Sequence, residues 1–208
     1  DFTVLQTARH NKKLRRGMHK GNHFRIVLQG FSVTNAVLKQ RIELIKFKGV
    51  PNYFGEQRFG HDGNNLYEVQ KLIQFDKLKG NRHGTGLYLS AARSWLFNLV
   101  TARHIRESYD DLAEGTGPLW GRGRPISERR SATIEAEVLD SWQDWCYALE
   151  HAGLKQQRRD LIMDADNITA QWIEADKLCL EFSLSTGCYA TTLMREIAEL
   201  SRPENFAL

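Results

Sequence analysis

The stretch Gly49–Gly60, GVPNYFGEQRFG, separates two parts of the sequence that have different patterns. Within twelve residues it contains three glycines, a proline, three aromatic residues, an arginine and a glutamate. It has neither the apolar period of a helix nor the alternation of a strand. We therefore take it as the point where one structural module ends and another begins.

Upstream of this stretch, the sequence predicts a strand followed by a helix. His23–Gly30, HFRIVLQG, alternates and is rich in β-branched residues, which indicates a strand. Ser32 or Thr34 can cap a helix that runs through Phe47. The apolar stripe expected on that helix consists of Val33, Val37, Leu38, Ile42 and Ile45.

Downstream, helical periodicity dominates until a hairpin appears near the end of the chain. The predicted helices cover about Asn65–Phe75, Leu87–Ile105, Ser127–His151, a short basic segment Lys155–Met163, and the residues after Ala190. Ile168–Ser185 predicts a hairpin with its turn near Glu174–Asp176. Strands only at the two ends predict that a helical module is inserted into an α/β or α+β domain.

Positive charge is concentrated near the start of the chain. Of the 208 residues, 41% are hydrophobic, which is typical of a globular protein, and the net charge is only +4. The segment Ala8–Arg25, however, holds three histidines, no acid and seven cations: Arg9, Lys12, Lys13, Arg15, Arg16, Lys20 and Arg25. A solvated helical face normally mixes both signs of charge, so this segment favours phosphate binding.

Several classes of site are not supported by the sequence. Cys146, Cys179 and Cys188 have no CxxC spacing, which is typical of reduced, buried thiols in a cytosolic protein. The apolar runs are too short to span a membrane. The GRG at Gly121–Gly123 lacks a phosphate-loop ending, and the histidines lack metal-ligand spacing. We therefore expect no nucleotide cofactor, no metal and no membrane partner.

Two further motifs each allow two interpretations. In Lys20–Phe24, KGNHF, the amide before an aromatic can orient a carboxylate or a base edge, or the motif can be a tight turn that opens a strand. In Thr186–Ile197, TGCYATTLMREI, Tyr189 at a helix start can stack on a base while the helix amides face a phosphate. Alternatively, Tyr189 is a core aromatic.

Taken together, these motifs resemble one protein family. GVPNYFGEQRFG, KGNHF, LSAARSWLFN (Leu89–Asn98), GPLWG (Gly117–Gly121) and GCYATTLMRE occur in the order typical of the TruD family of tRNA pseudouridine synthases. They extend over nearly the whole chain, and GVPNYFGEQRFG is highly specific. The sequence is thus identified as similar to that family.

The resemblance implies an activity and an architecture. Such proteins isomerise a uridine in tRNA, at position 13 in bacterial members, by detaching the base from C1′, turning it and rejoining it through C5, without metal, nucleotide or redox cofactor. It implies a cytoplasmic α+β enzyme whose mixed α/β catalytic domain carries a mostly helical TRUD insertion, with tRNA in the cleft between them. The catalytic domain would comprise residues 1–48 and 164–208, and the insertion residues 49–163.

The family's catalytic aspartate lies in a K-D-[RK]-H motif upstream of KGN-x-F, and the 208 residues contain no such motif. Asp1 is not that aspartate, so we expect the carboxylate to come from polypeptide outside this sequence. The region Ile105–Thr116 is also shorter than the family pattern, which suggests a missing segment near Arg106–Glu114. The alternative is a non-catalytic RNA-binding protein built on the same fold.

The resemblance also assigns expected roles to individual residues. Asn22 would orient the catalytic carboxylate, and Phe24 would line the pocket. Tyr189 replaces the usual phenylalanine that stacks on the target base, and whether its hydroxyl also helps to remove the C5 proton stays open. The other expected substrate contacts are Lys20, Asn52 and Arg58, and the expected phosphate contacts are Lys12, Lys13, Arg15 and Arg16.

The quoted stretch Gly49–Gly60 would then face this cleft. Tyr53, Phe54 and Phe59 are expected either to stack on bases or to pack the joint between domains. Glu56 is expected to pair with Arg58 or with a cation from Ala8–Arg25.

Overall fold

The structure is a computed structural model and describes residues 4, 7–9, 11, 13, 18–30, 33–78, 84–108, 115–123, 127 and 129–200. The strands are β1 (Gly21–Gln29), β2 (Val50–Pro51), β3 (Thr116–Leu119), β4 (Gln157–Asp160), β5 (Ile162–Met163), β6 (Asp166–Glu174) and β7 (Lys177–Ser185). The α-helices are α1 (Asn35–Lys48), α2 (Asn64–Gln74), α3 (Thr85–Glu107), α4 (Arg129–Asp140), α5 (Gln143–His151) and α6 (Ala190–Ile197). Two short 3₁₀ turns, Glu56–Phe59 and His61–Gly63, precede α2.

One sheet, with the order β1-β7-β6, organises the first and last parts of the chain, and all its neighbours are antiparallel. Alternate residues of β7 are buried on one face, namely Leu178, Leu180, Phe182 and Leu184. On β1 the half-buried positions alternate in the same way, as the sequence predicted. Helices α1 and α6 contribute Leu38, Ile42, Ile45, Leu193 and Ile197 to the same core. We call this assembly of β1, α1, β6, β7 and α6 the sheet unit.

The helices α2 to α5 have a separate core, and we call them the helical unit. The buried members of this core include Val69, Leu89, Leu96, Val100, Leu139 and Leu149. Tryptophans link the helices edge to face, since Trp142 lies between Trp95 and Trp145 with ring centroids 6.2 and 5.0 Å away.

The chain enters and leaves the helical side of the molecule through neighbouring strands. Val50 pairs with Met163 and Pro51 with Ile162, so β2 and β5 form a short antiparallel ladder. A second ladder joins β3 to β4. Between the two units, Phe97 and Leu161 form a small core with Phe54 packed against it. We call this region the joint.

The helix at Asn35–Lys48 and the hairpin confirm two local predictions. Thr34 is the N-cap of α1, and its hydroxyl accepts a hydrogen bond from the Val37 N–H at 3.4 Å. Gly49 ends the helix with φ of 68°. The hairpin turn lies at Ala175–Asp176, between β6 and β7.

The predicted helix at Lys155–Met163 is wrong, and so is the prediction that strands occur only at the two ends. This segment forms β4 and β5, because its backbone groups bond with β3 and β2 rather than with one another. β4 has only four residues and β5 only two, which is too short for a strand to show an alternating apolar pattern.

The predicted single helix at Ser127–His151 is also wrong. It divides into α4 and α5 at Ser141–Trp142, where Trp142 has φ of −122° and ψ of 22°. The break places the Trp142 ring between two other tryptophans, so tertiary packing overrides local helix propensity here.

We predict that Gly117→Ala destabilises the protein through the joint between the units. A Cβ at Gly117 would lie 2.9 Å from a ring carbon of Phe97 and 3.0 Å from a methyl carbon of Leu161. Both neighbours are fully buried, so overpacking should lower the free energy of unfolding by about 1–3 kcal/mol. Urea denaturation followed by circular dichroism measures the change.

The matched control for this prediction is Gly86→Ala on α3. A Cβ at Gly86 meets no atom within 4 Å, so this substitution should be neutral or stabilise the helix by roughly 0.5–1 kcal/mol. Equal stability of the two variants would contradict the proposed tight packing at Gly117.

Candidate active site

Asn52 links the segment after β2 to the segment between β4 and β5. It is buried, its backbone N–H donates to the Leu161 carbonyl at 2.7 Å, and its side-chain Nδ2 donates to the Asp160 carbonyl at 2.9 Å. Its Oδ1 accepts from the guanidinium of Arg159. In the structure Asn52 therefore positions Arg159, while its expected contact with substrate stays a prediction.

Arg159 is the central cation of the site, and sequence reasoning missed it. Its guanidinium carbon lies 4.2 Å from the centroid of the Phe54 ring, and its Nη2 donates to the Gly187 carbonyl at 3.1 Å. Burial lowers the pKa of Arg159 from the ordinary value of arginine. The basic pair Arg158–Arg159 was visible in the sequence, but its assignment to a helix concealed which way each side chain points.

Arg58 connects the 3₁₀ turn Glu56–Phe59 to both units. Its Nε donates to the Tyr189 hydroxyl at 3.0 Å, and its Nη1 donates to the Ser90 hydroxyl on α3 at 2.9 Å. Tyr189 is the N-cap residue of α6, as the sequence suggested. Its ring meets the Phe54 ring edge to face, with centroids 5.9 Å apart.

Gly55 explains why a glycine lies in the middle of GVPNYFGEQRFG. A Cβ at this position would lie 2.8 Å from a ring carbon of Tyr189 and 2.9 Å from the Thr191 hydroxyl. The backbone of the stretch therefore packs directly on the start of α6. Together with Arg58, this contact fixes the Tyr189 ring against the joint.

Phe54, Phe59 and Glu56 of the stretch contact residues of α3 and α6. Phe54 packs edge to face on Phe97 with centroids 5.5 Å apart, and Phe59 packs on Trp95 at 5.8 Å. Glu56 accepts from Arg195 of α6, a partner that sequence reasoning did not consider.

Asn22 lies at the end of the sheet nearest to α6. It pairs with Leu184 in register, and its side chain shares the sheet face of the buried β7 leucines. The adjacent Lys20 carbonyl accepts from the Thr186 N–H at 3.1 Å. Both Asn22 and Lys20 are exposed, and Thr186 is three residues before Tyr189. The fold thus brings the KGNHF and GCYATTLMRE motifs to one end of the sheet.

Phe24 is half-buried and stacks on Phe182, with centroids 5.4 Å apart. It belongs to the core of the sheet unit, and its expected place in the substrate pocket stays a prediction. Among the expected phosphate contacts, Lys13 is exposed. Lys12, Arg15 and Arg16 lie outside the described residues, as do residues 109–114 of the suggested missing segment.

The electrostatics of Cys188 and the distribution of metal-binding side chains bear on other chemistry that this region could perform. Burial raises the pKa of the Cys188 thiol, although Arg159 opposes the shift, so the group is a poor nucleophile. In the part of the chain that the structure describes, no cluster of three or more His, Cys, Asp or Glu side chains could hold a metal ion. No helix in the same part is long and apolar enough to cross a membrane.

A sequence model of tRNA pseudouridine synthase D (TruD) matches residues 1–82 and 110–197 of the chain. The chain belongs to the TruD family. This confirms the resemblance that the motifs indicated. Helix α3 lies between the two matched segments.

Individual relatives agree with this membership. The tRNA pseudouridine synthase D of Cellvibrio japonicus is 42% identical over 209 residues, which cover 97% of this chain and 62% of the relative. That of Aeromonas hydrophila is 37% identical over 235 residues, which cover 97% of this chain and 66% of the relative. The chain therefore spans less than two thirds of the length of these TruD relatives.

A solved structure confirms the α+β fold. A crystal structure from Methanosarcina mazei, described provisionally as tRNA pseudouridine synthase D (TruD), superposes with a TM-score of 0.58 at 19% identity. The match covers 87% of this chain and 69% of that chain.

We predict that Arg58 and Tyr189 are energetically coupled across the joint. In a double-mutant cycle of Arg58→Gln and Tyr189→Phe, loss of their hydrogen bond should give a coupling energy of about 0.5–1.5 kcal/mol. Urea denaturation of the four proteins measures it.

The control cycle combines Arg58→Gln with Tyr147→Phe. Tyr147 is exposed on α5 and packs against His151, with ring centroids 4.0 Å apart. Its effect should add to that of Arg58→Gln within about 0.5 kcal/mol. Additivity in both cycles would show that the Arg58–Tyr189 contact contributes nothing.

Proposed function

We propose that the protein to which these 208 residues belong isomerises uridine to pseudouridine in tRNA, at position 13 by family resemblance. In this reaction the N1–C1′ bond breaks, the base turns, and C5 bonds to C1′. C5 loses its proton and N1 gains one. No electrons are exchanged with a cofactor, and tRNA is the only partner that the proposal requires.

The observation that carries this proposal is the position of Tyr189 in a TruD family member. The ring lies at the N-terminus of α6, held by Arg58 and Phe54, where the sheet unit and the helical unit meet. A uridine drawn out of a folded RNA loses stacking worth a few kcal/mol. Stacking on an aromatic ring returns about 1–3 kcal/mol, and nearby guanidiniums can hold the phosphates.

Residues from three segments are proposed to act on the substrate. Asn22 orients the catalytic carboxylate by donating its amide N–H, and Phe24 closes the pocket behind it. Lys20 and Arg58 contact the RNA near the reactive nucleotide, whereas Asn52 acts through Arg159. The carboxylate comes from polypeptide outside these residues, because the family's K-D-[RK]-H motif is absent from them.

The division into domains is part of the same proposal. We assign residues 1–48 and 164–208 to the catalytic domain and residues 49–163 to the insertion. The β2–β5 ladder and the separate cores of the two units support boundaries near Gly49 and Met163. The enzyme would act in the cytoplasm, where its tRNA substrate is found.

A non-catalytic RNA-binding protein is the second candidate. The observation that favours it is again the absence of the catalytic motif from the 208 residues. Such a protein would keep the cations and the stacking ring without carrying out the isomerisation.

We predict that the complete gene product converts one uridine of unmodified tRNA to pseudouridine, whereas the 208-residue chain binds the same tRNA without converting it. Chemical mapping of pseudouridine measures both activity and target position. Binding of tRNA by the complete product without any conversion would favour the RNA-binding protein instead.

The variant Tyr189→Phe in the complete product tests what the hydroxyl does. Because this hydroxyl accepts from Arg58, we expect it to position the arginine, and the single-turnover rate should fall by less than about tenfold. Its control is Tyr147→Phe, which should leave the rate unchanged. A loss of roughly 100-fold or more would assign proton transfer to Tyr189.

A further inference from the structure

A pocket of about 370 Å³ lies beside the Tyr189 site, on the side of the helical unit. Gly86, Ser90 and Arg93 line it from α3, Phe54 and Arg159 from the joint, and leucine side chains complete the wall. Two guanidiniums therefore face one cavity that has room for a phosphate group with its sugar.

Arg93 and Arg159 bind only neutral protein groups among the described residues. Arg93 Nη2 donates to the carbonyls of Leu119 at 2.6 Å and Lys155 at 2.9 Å. The Arg93 Nε is buried without a hydrogen-bond partner. Arg159 donates to Asn52 and to Gly187. Neither guanidinium forms an ion pair within the described part of the chain, so no carboxylate there neutralises either charge by direct contact.

The lack of an ion pair is not shared by Arg158, the neighbour of Arg159 on β4. Its guanidinium forms a two-pronged ion pair with buried Glu135, at 3.0 and 2.8 Å. Within the described residues, Arg158 therefore has a carboxylate in direct contact, whereas Arg159, the next residue, has none. Among the groups that the structure describes, no carboxylate contacts Arg159 or Arg93, so both guanidiniums are suited to bind an external anion.

The start of α3 leaves space for that anion. A Cβ at Gly86 would meet no atom within 4 Å, so the first turn of α3 is open at this point. Ser90, one turn further along, accepts from Arg58 and so connects the pocket to Tyr189. Phe54 and Arg159 belong to both the pocket and the Tyr189 site.

We propose that the pocket formed by Gly86, Ser90, Arg93 and Arg159 binds a backbone phosphate of the RNA, on a nucleotide adjacent to the uridine at Tyr189. This inference rests on the proposed function for the identity of the RNA. Arg93 and Arg159 contact the phosphate oxygens, and the Tyr189 ring stacks on the neighbouring base. The pocket thereby sets which nucleotide reaches the Tyr189 ring.

The variant Gly86→Glu tests this proposal, with Leu87→Glu as the matched control. Both add one acid to the first turn of α3, but Leu87 is exposed and does not line the pocket. An acid in the first turn favours the helix, so neither variant should unfold at a lower temperature than the wild type. Only Gly86→Glu places a negative charge against the phosphate.

Fluorescence anisotropy with an unmodified tRNA transcript is the readout, because it requires no turnover. Gly86→Glu should weaken binding by about tenfold or more relative to Leu87→Glu, as expected for one charge-assisted contact. The slope of log K against log salt should also fall by roughly 0.7–0.9. Equal affinities and slopes for the two variants would overturn the proposal.

A second measurement needs no variant. Titration of the wild-type complete product with inorganic phosphate should shift the Nε–H NMR signals of Arg93 and Arg159 more than that of Arg158, which Glu135 already holds. Equal shifts at all three, or no shift at any, would also overturn the pocket. The two proposals can fail separately. If the complete product isomerises uridine but the pocket tests fail, only the phosphate pocket is overturned. If the pocket tests succeed but no uridine is converted, only the proposed function is overturned.

Discussion

The half-buried guanidinium of Arg159 makes the contacts on which the site depends. It joins Asn52 and the Phe54 ring, both in the stretch Gly49–Gly60, to the Gly187 carbonyl, which is far from them in the sequence. Removing an arginine from water is costly, and here hydrogen bonds and a stacked ring offset part of that cost without cancelling the charge. The joint thus keeps a positive charge while its polar groups are hydrogen-bonded, as the proposed contact with RNA requires.

The neighbouring residues Arg158 and Arg159 on β4 have different partners. Arg158 is neutralised by Glu135 and fastens β4 to α4. Arg159 points to the opposite side of the strand, as adjacent strand residues must, and stays without a carboxylate partner among the described residues. The register of the β3–β4 ladder therefore directs Arg158 towards Glu135 and leaves Arg159 free to bind the proposed ligand.

The two units meet through few backbone contacts. The β2–β5 ladder is only two residues long on each strand, so side chains must define the relative position of the units. Arg58 to Tyr189, Glu56 to Arg195, and the Thr192 hydroxyl to the Tyr53 carbonyl at 3.3 Å supply these contacts. All of them begin in GVPNYFGEQRFG and end in or next to α6. The stretch that interrupts the sequence pattern is therefore the one that positions the Tyr189 ring.

The amino-acid sequence was enough to predict the family, the α+β class, β1, α1 and the hairpin β6–β7, and it placed Tyr189 at the start of a helix. These follow from local periodicity, capping and motifs, which are encoded in neighbouring residues. The fold was needed to show that Lys155–Met163 is extended, that Asn52 is buried, and that Arg159 and Arg93 line one pocket. Those properties arise from hydrogen bonds and packing between segments that are distant in the sequence, and no local pattern records which distant partner a side chain will meet.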